Sequence, residues 1–301
     1  MKNELPPTPQ NITEELFENC ISSNDFMPIL FEWYKYAAIV CNYIASIDIK
    51  SPVIKKIKPI YYGILIGLLN RCSRLMLANI ALTHKGNFGE TSSIIDRCIL
   101  ESAIKLRWLC SQNEDCFKRF IADGLKSDLE FKKQIELNIE SNNGQILAIE
   151  KRMLDSIKKY ITESGLTEDD INKSKKLPDL ASMLECVDME RLLYVIIQKI
   201  GSHHVHGTWS SLYLHYLERN ENGIYSLRDH DCSPSINQYI WIPLLVLEAL
   251  KDFIVFTVET EDNHTGFIMW LNGIQKEILN INEYVVDKDF EPINMREDLI
   301  K

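Results

Sequence analysis

The stretch SIIDRCILESAIKLRWLC, residues 93 to 110, decides the fold class of this chain. Its apolar residues recur at helical spacing, and they follow Thr91 and Ser92, which are favourable N-cap residues. The spacing predicts a helix that begins near Thr91 and ends near residue 110. Because apolar residues flank its few charges on both sides, we expect most of this helix to be buried.

The same spacing continues outward in both directions. Helices are predicted over residues 27–47, about 59–83, 236–259 and 265–284. No block of alternating apolar and polar residues is long enough for a core sheet, while the Asn222-Gly223 turn marks a polar loop or small hairpin near 218–235. The predicted class is therefore all-α, a bundle of about 9–11 helices.

The chain divides into three predicted parts. Residues 1–26 form an N-terminal extension, 27–286 a single helical domain, and 287–301 a C-terminal tail. Within the domain, residues 113–175 are rich in charge and carry fewer large apolar residues per turn. We expect exposed, projecting helices there.

Composition limits the possible partners and the compartment. The formal net charge of −10 argues against broad nucleic-acid or anionic-membrane binding, so any RNA contact must be local. Eight cysteines without a CxxC pair indicate reduced thiols, and the start MKNELPPTPQ does not resemble a targeting segment. We expect a cytoplasmic protein.

No membrane span and no cofactor are predicted. The apolar run at 60–69 is too short to span, and the run at 240–258 carries Glu248, Lys251 and Asp252 at its centre. Dinucleotide, P-loop and nucleophile-elbow motifs are absent from the sequence, which disfavours those chemistries.

The segment KIGSHHVHGTW, 199–209, holds three of the seven histidines and is the first candidate site. If one helix runs through it, four residues share a face: Lys199, His203, His206 and Ser210. Ser202 lies four residues before His206. Such a face suits general acid–base chemistry, because imidazole titrates near neutral pH and an ammonium stabilises an oxyanion.

Two other interpretations of this segment stay open. The histidines can form a hydrogen-bonded polar seam between helices. Alternatively, His203 and His206 can bind one metal ion with a third ligand from elsewhere, for which His215, Glu101 and His230 are guesses. Because no closed ligand set can be read, we predict no metal.

Arg97 and Glu101 form a second candidate site, four residues apart on the buried helix. A charge pair in such a place is costly unless both partners are satisfied. We interpret Glu101 as an internal brace and Arg97 as the more open group, since a guanidinium with spare donors suits phosphate. Both are kept as candidate catalytic residues.

Four motifs occur in the order RCILESAIKLRWL, KRF at 118–120, Tyr194 and KIGSHHVHGTW. In this arrangement the chain resembles a bacterial helical family, the domain-of-unknown-function family numbered 5677, over roughly residues 60–220. That resemblance implies a helical fold and no particular activity.

The chain is also similar to the higher eukaryote and prokaryote nucleotide-binding superfamily (HEPN). These helical bundles carry an Arg followed after four to six residues by a His, and they cleave RNA without metal, often in toxin or antiphage systems. The resemblance implies that His206 acts on a ribose 2′-hydroxyl and that Lys199 takes the place of the Arg. Here Lys replaces that Arg and Ile200 replaces the usual polar residue, so we hypothesise that Arg97 supplies the guanidinium.

The resemblance implies a HEPN-like ribonuclease or nucleotide-handling effector in bacterial defence or stress. We expect a homodimer that acts on RNA or a nucleotide and is paired with an antitoxin or defence-system partner. The alternative is a non-catalytic sensor or scaffold in which His203, His204 and His206 are structural.

Overall fold

The computed structural model describes residues 5–187, 189 and 201–289, with side chains to residue 285. Its helices are α1 (Glu14–Ser23), α2 (Met27–Ala45), α3 (Pro59–Thr83), α4 (Gly89–Ser111), α5 (Glu114–Ser141), α6 (Ala148–Ser164), α7 (Glu168–Lys173), α8 (Leu180–Cys186), α9 (Trp209–His215), α10 (Gln238–Thr257) and α11 (Glu261–Asp289). Residues 201–205 are also helical. The predicted all-α class is confirmed.

Helix α4 lies at the centre of the bundle, as its apolar spacing predicts. It packs against α3, α10 and α8, while α2 covers the other side of α3 and α10. The largest fully buried side chains come from these helices and their neighbours, and they include Tyr34, Trp108, Phe117, Tyr239 and Phe253. The core therefore surrounds α4, and residues on its remaining surface are held rigidly.

The N-terminal end of α4 is fixed by a close backbone contact. A Cβ atom on Gly89 would lie 2.5 Å from the carbonyl oxygen of Ser233, so only glycine fits there. The Gly89 N–H donates to the carbonyl of Cys232 at 2.9 Å. This contact holds the loop before α10 against the first turn of α4.

Helices α5, α6 and α7 form a charge-rich layer beside the bundle. Helices α6 and α7 both pack on α5, and the layer buries Ile135, Ile157 and Ile171, which lie outside the main core cluster. Their small apolar interior agrees with the few large apolar residues per turn in this part of the sequence.

The polar region after α9 contains a short antiparallel hairpin, β1 (Leu217–Arg219) and β2 (Tyr225–Leu227). Leu217 pairs with Leu227, and Gly223 turns the chain with a φ of +79°. The small hairpin predicted near 218–235 is thus present, beginning one residue earlier.

Both ends of the chain contribute to the bundle. Within the predicted N-terminal extension, α1 buries Cys20, and Phe26 follows it into the core. The ring of Phe17 meets Tyr284 of α11 edge-on at 5.4 Å between centroids. Helix α11 continues to Asp289, and the remainder of the predicted tail lies outside the described residues.

Helix α3 is long and apolar enough to cross a membrane by length and composition, with a mean hydropathy of 1.3 over its most apolar window. It packs between α2 and α4 and buries polar groups there: Ser73 donates to the carbonyl of Ala38 at 2.8 Å, and Asn79 donates to Asp96 at 2.6 Å. A buried core helix of a bundle can have the same length and hydropathy, so the absence of a membrane span stays a prediction.

Candidate functional site

The helical segment 201–205 lies directly against α4. A Cβ atom on Gly201 would lie 2.9 Å from Cβ of Arg97, so glycine permits this approach. The helix ends before His206, Gly207 adopts a φ of +54°, and α9 begins at Trp209. Ser210 is therefore on a different helix from His203. Lys199, Ile200 and Tyr194 lie outside the described residues.

The predicted catalytic histidines His203 and His206 are both exposed. His203 Nδ1 lies 2.7 Å from the hydroxyl of Thr208, whereas His206 has no side-chain hydrogen bond within the described part of the chain. Ser202 is half-buried. The exposed imidazole of His206 is thus accessible to a ligand.

The middle histidine points inward and belongs to a separate group, the Glu90 cluster, which consists of Glu90, His204, Ser211, His215 and Tyr216. Ser211 and Tyr216 both donate to the carboxyl group of Glu90. His204 Nδ1 lies 3.9 Å from the same carboxyl group, and the rings of His204 and His215 meet at 4.9 Å between centroids. The cluster joins the first turn of α4 to α9.

Burial governs the protonation of this cluster. It lowers the pKa of both His204 and His215, and the neighbouring imidazole lowers that of His204 further. Both rings are therefore neutral at neutral pH. His204 Nδ1 and both ring nitrogens of His215 are buried without a hydrogen-bond partner. The hydrogen bond to Glu90 is the main reason that the pKa of Tyr216 rises to about 12.

The metal interpretation of the histidines gains no geometric support from the described residues. The group that brings three metal-type ligands within 4.8 Å of one another consists of Glu218, Asp229 and His230, all exposed. His203 and His206 do not belong to it. Exposed acidic groups such as these are common without an ion.

A cleft of about 450 Å³ lies between α4, α10 and α11, and both Arg97 and Gly201 line it. Its walls are mostly apolar, and its polar lining includes Asp96, Arg97, Arg107, Gln238 and Gln275. Asp96 is 7% exposed and accepts from Asn79, and burial raises its pKa to about 8. It is therefore a largely neutral carboxylic acid at neutral pH.

Arg97 and Glu101 form the pair that their spacing predicts. Arg97 Nε lies 3.2 Å from Glu101, and Lys105 approaches Glu101 from the other side at 3.8 Å. Nη1 of Arg97 is buried with no hydrogen-bond partner. Glu101 is thus shared between two cations, while the guanidinium retains an unused donor.

Three aromatic rings form an exposed group next to the histidine segment, the aromatic triad of Trp209, Tyr213 and Tyr225. Trp209 lies 5.7 Å from both tyrosines, and each ring is about half exposed. The Arg219 guanidinium lies 5.7 Å above the ring of Tyr225. Exposed rings with a guanidinium suit stacking of nucleobases or of protein side chains.

Sequence patterns did not mark several of these residues. Glu90 is 121 positions from Ser211, and Asp96 and Arg107 lie on a helix whose partners come from distant segments. His204 falls between the two histidines that an uninterrupted helical face would select. The sequence signal for Glu90 was an acidic residue at the start of a helix. Negative charge is stabilising at that position whether or not the residue has a function.

A family model described as "Family of unknown function (DUF5677)" matches residues 62–224. The matched region extends from α3 to the turn of the hairpin and includes the whole Glu90 cluster, but not α10 or α11. No curated protein and no solved structure matches the chain.

Proposed function

We propose a function from the site itself, because the chain belongs to DUF5677, a family of unknown function whose membership names no activity. The family resemblance read from the sequence is confirmed over residues 62–224. Our proposal is that the protein is a HEPN-like, metal-independent ribonuclease acting where α4 meets the segment 201–206. Local contacts must bind the RNA, since the net charge is −10.

One observation carries the proposal: Arg97, with its unpaired Nη1, packs against Gly201, and the exposed, unbonded His206 follows five residues later. The His206 N–H donates to the carbonyl of Ser202 at 3.1 Å, so at the helical rise His206 lies about 7.5 Å along the segment from Gly201. A guanidinium and an imidazole on these two adjoining segments suit contact with one phosphodiester and its ribose.

The proposed reaction needs no metal or water. His206 accepts the proton of the ribose 2′-hydroxyl, whose oxygen attacks phosphorus, and the bond to the 5′-oxygen breaks. Protonated His203 gives its proton to the leaving 5′-oxygen, while Arg97 stabilises the charge on the phosphoryl oxygens. The products are a 2′,3′-cyclic phosphate and a 5′-hydroxyl. Ser202 and Lys199 stay candidate polar partners of the phosphate.

The aromatic triad supports a single-stranded substrate. Unstacked bases bind exposed aromatic rings, and Trp209 follows His206 by three residues. Arg219 beside Tyr225 adds a positive charge for the RNA backbone.

The test is cleavage of a mixed single-stranded RNA pool by purified protein, with and without EDTA. We expect EDTA-insensitive cleavage that falls about 10²- to 10⁴-fold in His206→Ala, because a general base is lost. His230→Ala is the matched control, since His230 is an exposed histidine bonded to Asp229. Cleavage that persists in His206→Ala, or that requires metal, would refute the proposal.

A second candidate function, a non-catalytic sensor or scaffold, is favoured by the Glu90 cluster. His204 and His215 are neutral and buried, and Ser211 and Tyr216 tie α9 to α4 through Glu90. This function predicts that no variant or condition produces cleavage, while histidine substitutions change only stability.

The cellular setting belongs to the same proposal. A HEPN-like ribonuclease in bacterial defence or stress would act in the cytoplasm as a homodimer and require an antitoxin or other partner protein to restrain it. Light scattering on the purified protein measures the oligomeric state directly.

A further inference from the structure

The cleft between α4, α10 and α11 shares Arg97 with the proposed RNA site but extends well beyond it. Gly201 also lines it, whereas Arg107, Gln238 and Gln275 of its polar lining take no part in the proposed cleavage. Its volume of about 450 Å³ is in the range of small-molecule sites.

The acidic groups of the cleft have little capacity left for a cationic ligand. Glu248 already accepts from Lys251 at 2.8 Å and from Gln275 at 2.7 Å. Asp96 already accepts from Asn79, and its raised pKa of about 8 leaves it largely uncharged.

The basic groups, in contrast, keep donors unused. Among the described contacts, Arg107 uses only Nε, which lies 2.6 Å from Asp252, and Arg97 leaves Nη1 unpaired. Both guanidiniums line the cleft and both side chains are largely buried, at 13% and 20% exposure. Two partly unused guanidiniums in an apolar cleft bind an anion strongly, because little water competes.

The rest of the lining is apolar. Leu100, Ile242, Leu245 and Leu279 form the walls, and Trp241, which is 53% exposed, contributes an indole ring. These surfaces fit the flat or aliphatic body of a ligand, and the polar end of that ligand can bind the guanidiniums.

We propose that the cleft binds an amphipathic anion, a small molecule with an apolar body and a single carboxylate, sulfonate or phosphate head. The head lies between Arg97 and Arg107, and the body lies along α10 against Trp241. The cleft shares Arg97 with the proposed RNA site, and its ligand binding is tested without RNA through Arg107 and Trp241, which have no part in the proposed cleavage.

The probe is 1-anilinonaphthalene-8-sulfonate, an aromatic sulfonate whose fluorescence rises in apolar sites. We expect saturable 1:1 binding to the wild type. Arg107→Met should weaken binding about tenfold or more, because a charge-assisted hydrogen bond is lost. Trp241→Ala should also weaken it, and this exposed residue can be replaced without unfolding the core. Arg74→Met, an exposed arginine of α3 outside the cleft, is the control.

Two competing ligands distinguish the chemical classes of anion that could bind there. Displacement by adenosine monophosphate identifies a phosphate with an aromatic base, and displacement by decanoate identifies a carboxylate with an alkyl chain. Either result supports the proposal. Absence of saturable binding, or wild-type affinity in both Arg107→Met and Trp241→Ala, would overturn it.

Discussion

The Glu90 cluster and the cleft lie two turns apart on α4, and they differ in how their charged side chains are hydrogen-bonded. In the cluster, two hydroxyl donors converge on one carboxyl group, and the nearby imidazoles are neutral. In the cleft, the carboxyl groups are occupied or neutral, and the guanidiniums keep free donors.

This difference separates a structural contact from a binding site. The two hydroxyl donors of the Glu90 cluster occupy its carboxyl group and stabilise the packing of two elements, although three buried imidazole nitrogens there have no partner. Donors that stay unpaired beside an open volume carry a free-energy cost that a ligand can remove. The comparison therefore assigns stability to the Glu90 cluster and ligand binding to the cleft.

The largest expected effect concerns Asp96 in the cleft. Its folded-state pKa of about 8 is far above the unfolded value near 3.9, so the folded state binds the proton more tightly. Its contribution to stability is full below pH 4 and is lost as pH rises to 8, by on the order of 5 kcal/mol. Urea denaturation at several pH values measures this loss.

Asp96→Asn is the decisive variant for that prediction, because the amide keeps the shape and stays neutral. We expect it to remove the decline and to exceed the wild type in stability at pH 8. Asp155→Asn, an exposed acid on α6, should follow the wild-type curve. A wild-type decline that persists in Asp96→Asn would show that another group causes it.

The second prediction removes the acceptor of the Glu90 cluster. Glu90→Ala leaves the buried hydroxyl of Ser211 without its partner and should lower the free energy of unfolding by about 3 kcal/mol. Glu114→Ala, which breaks an exposed ion pair with Lys58, should cost less than about 1 kcal/mol. Equal losses in the two variants would mean that the cluster does not brace α9 against α4.

Much of the fold could be predicted from the sequence, because the apolar spacing that indicates a helix can be read within one short segment. The limits of α2 and α3 agree with prediction to within a few residues, and the Arg97–Glu101 pair follows from helical spacing alone. The Glu90 cluster could not be predicted, because its members come from α4, the segment 201–205 and α9. The assumed histidine face also required one continuous helix, which the backbone at Gly207 interrupts.

A third prediction tests the contact that places the histidine segment beside α4. The methyl group of Gly201→Ala would lie 2.9 Å from Cβ of Arg97, an atom that cannot rotate away. We expect a loss of about 2 kcal/mol in stability together with reduced RNA cleavage. Gly124→Ala has open space around its Cβ on α5 and should be stabilising by up to about 1 kcal/mol. Normal stability in Gly201→Ala would place the segment farther from α4.

The smallest effect is the pH response of the Glu90 cluster, which has the opposite sign to that of Asp96. The folded-state pKa values of His204 and His215 are lowered by burial, so the unfolded chain binds protons more readily. Their contribution to stability is therefore present above about pH 6.5 and is lost as pH falls below it.

The background Asp96→Asn removes the opposing slope and makes this loss measurable by urea denaturation between pH 7 and pH 5. Adding His204→Gln and His215→Gln to this variant should flatten its curve of stability against pH, because glutamine does not titrate. The control His203→Gln, at an exposed position, should leave that curve unchanged. If the curve of Asp96→Asn is already flat, the two imidazoles are not buried as neutral groups, and the Glu90 cluster is open to solvent like the cleft.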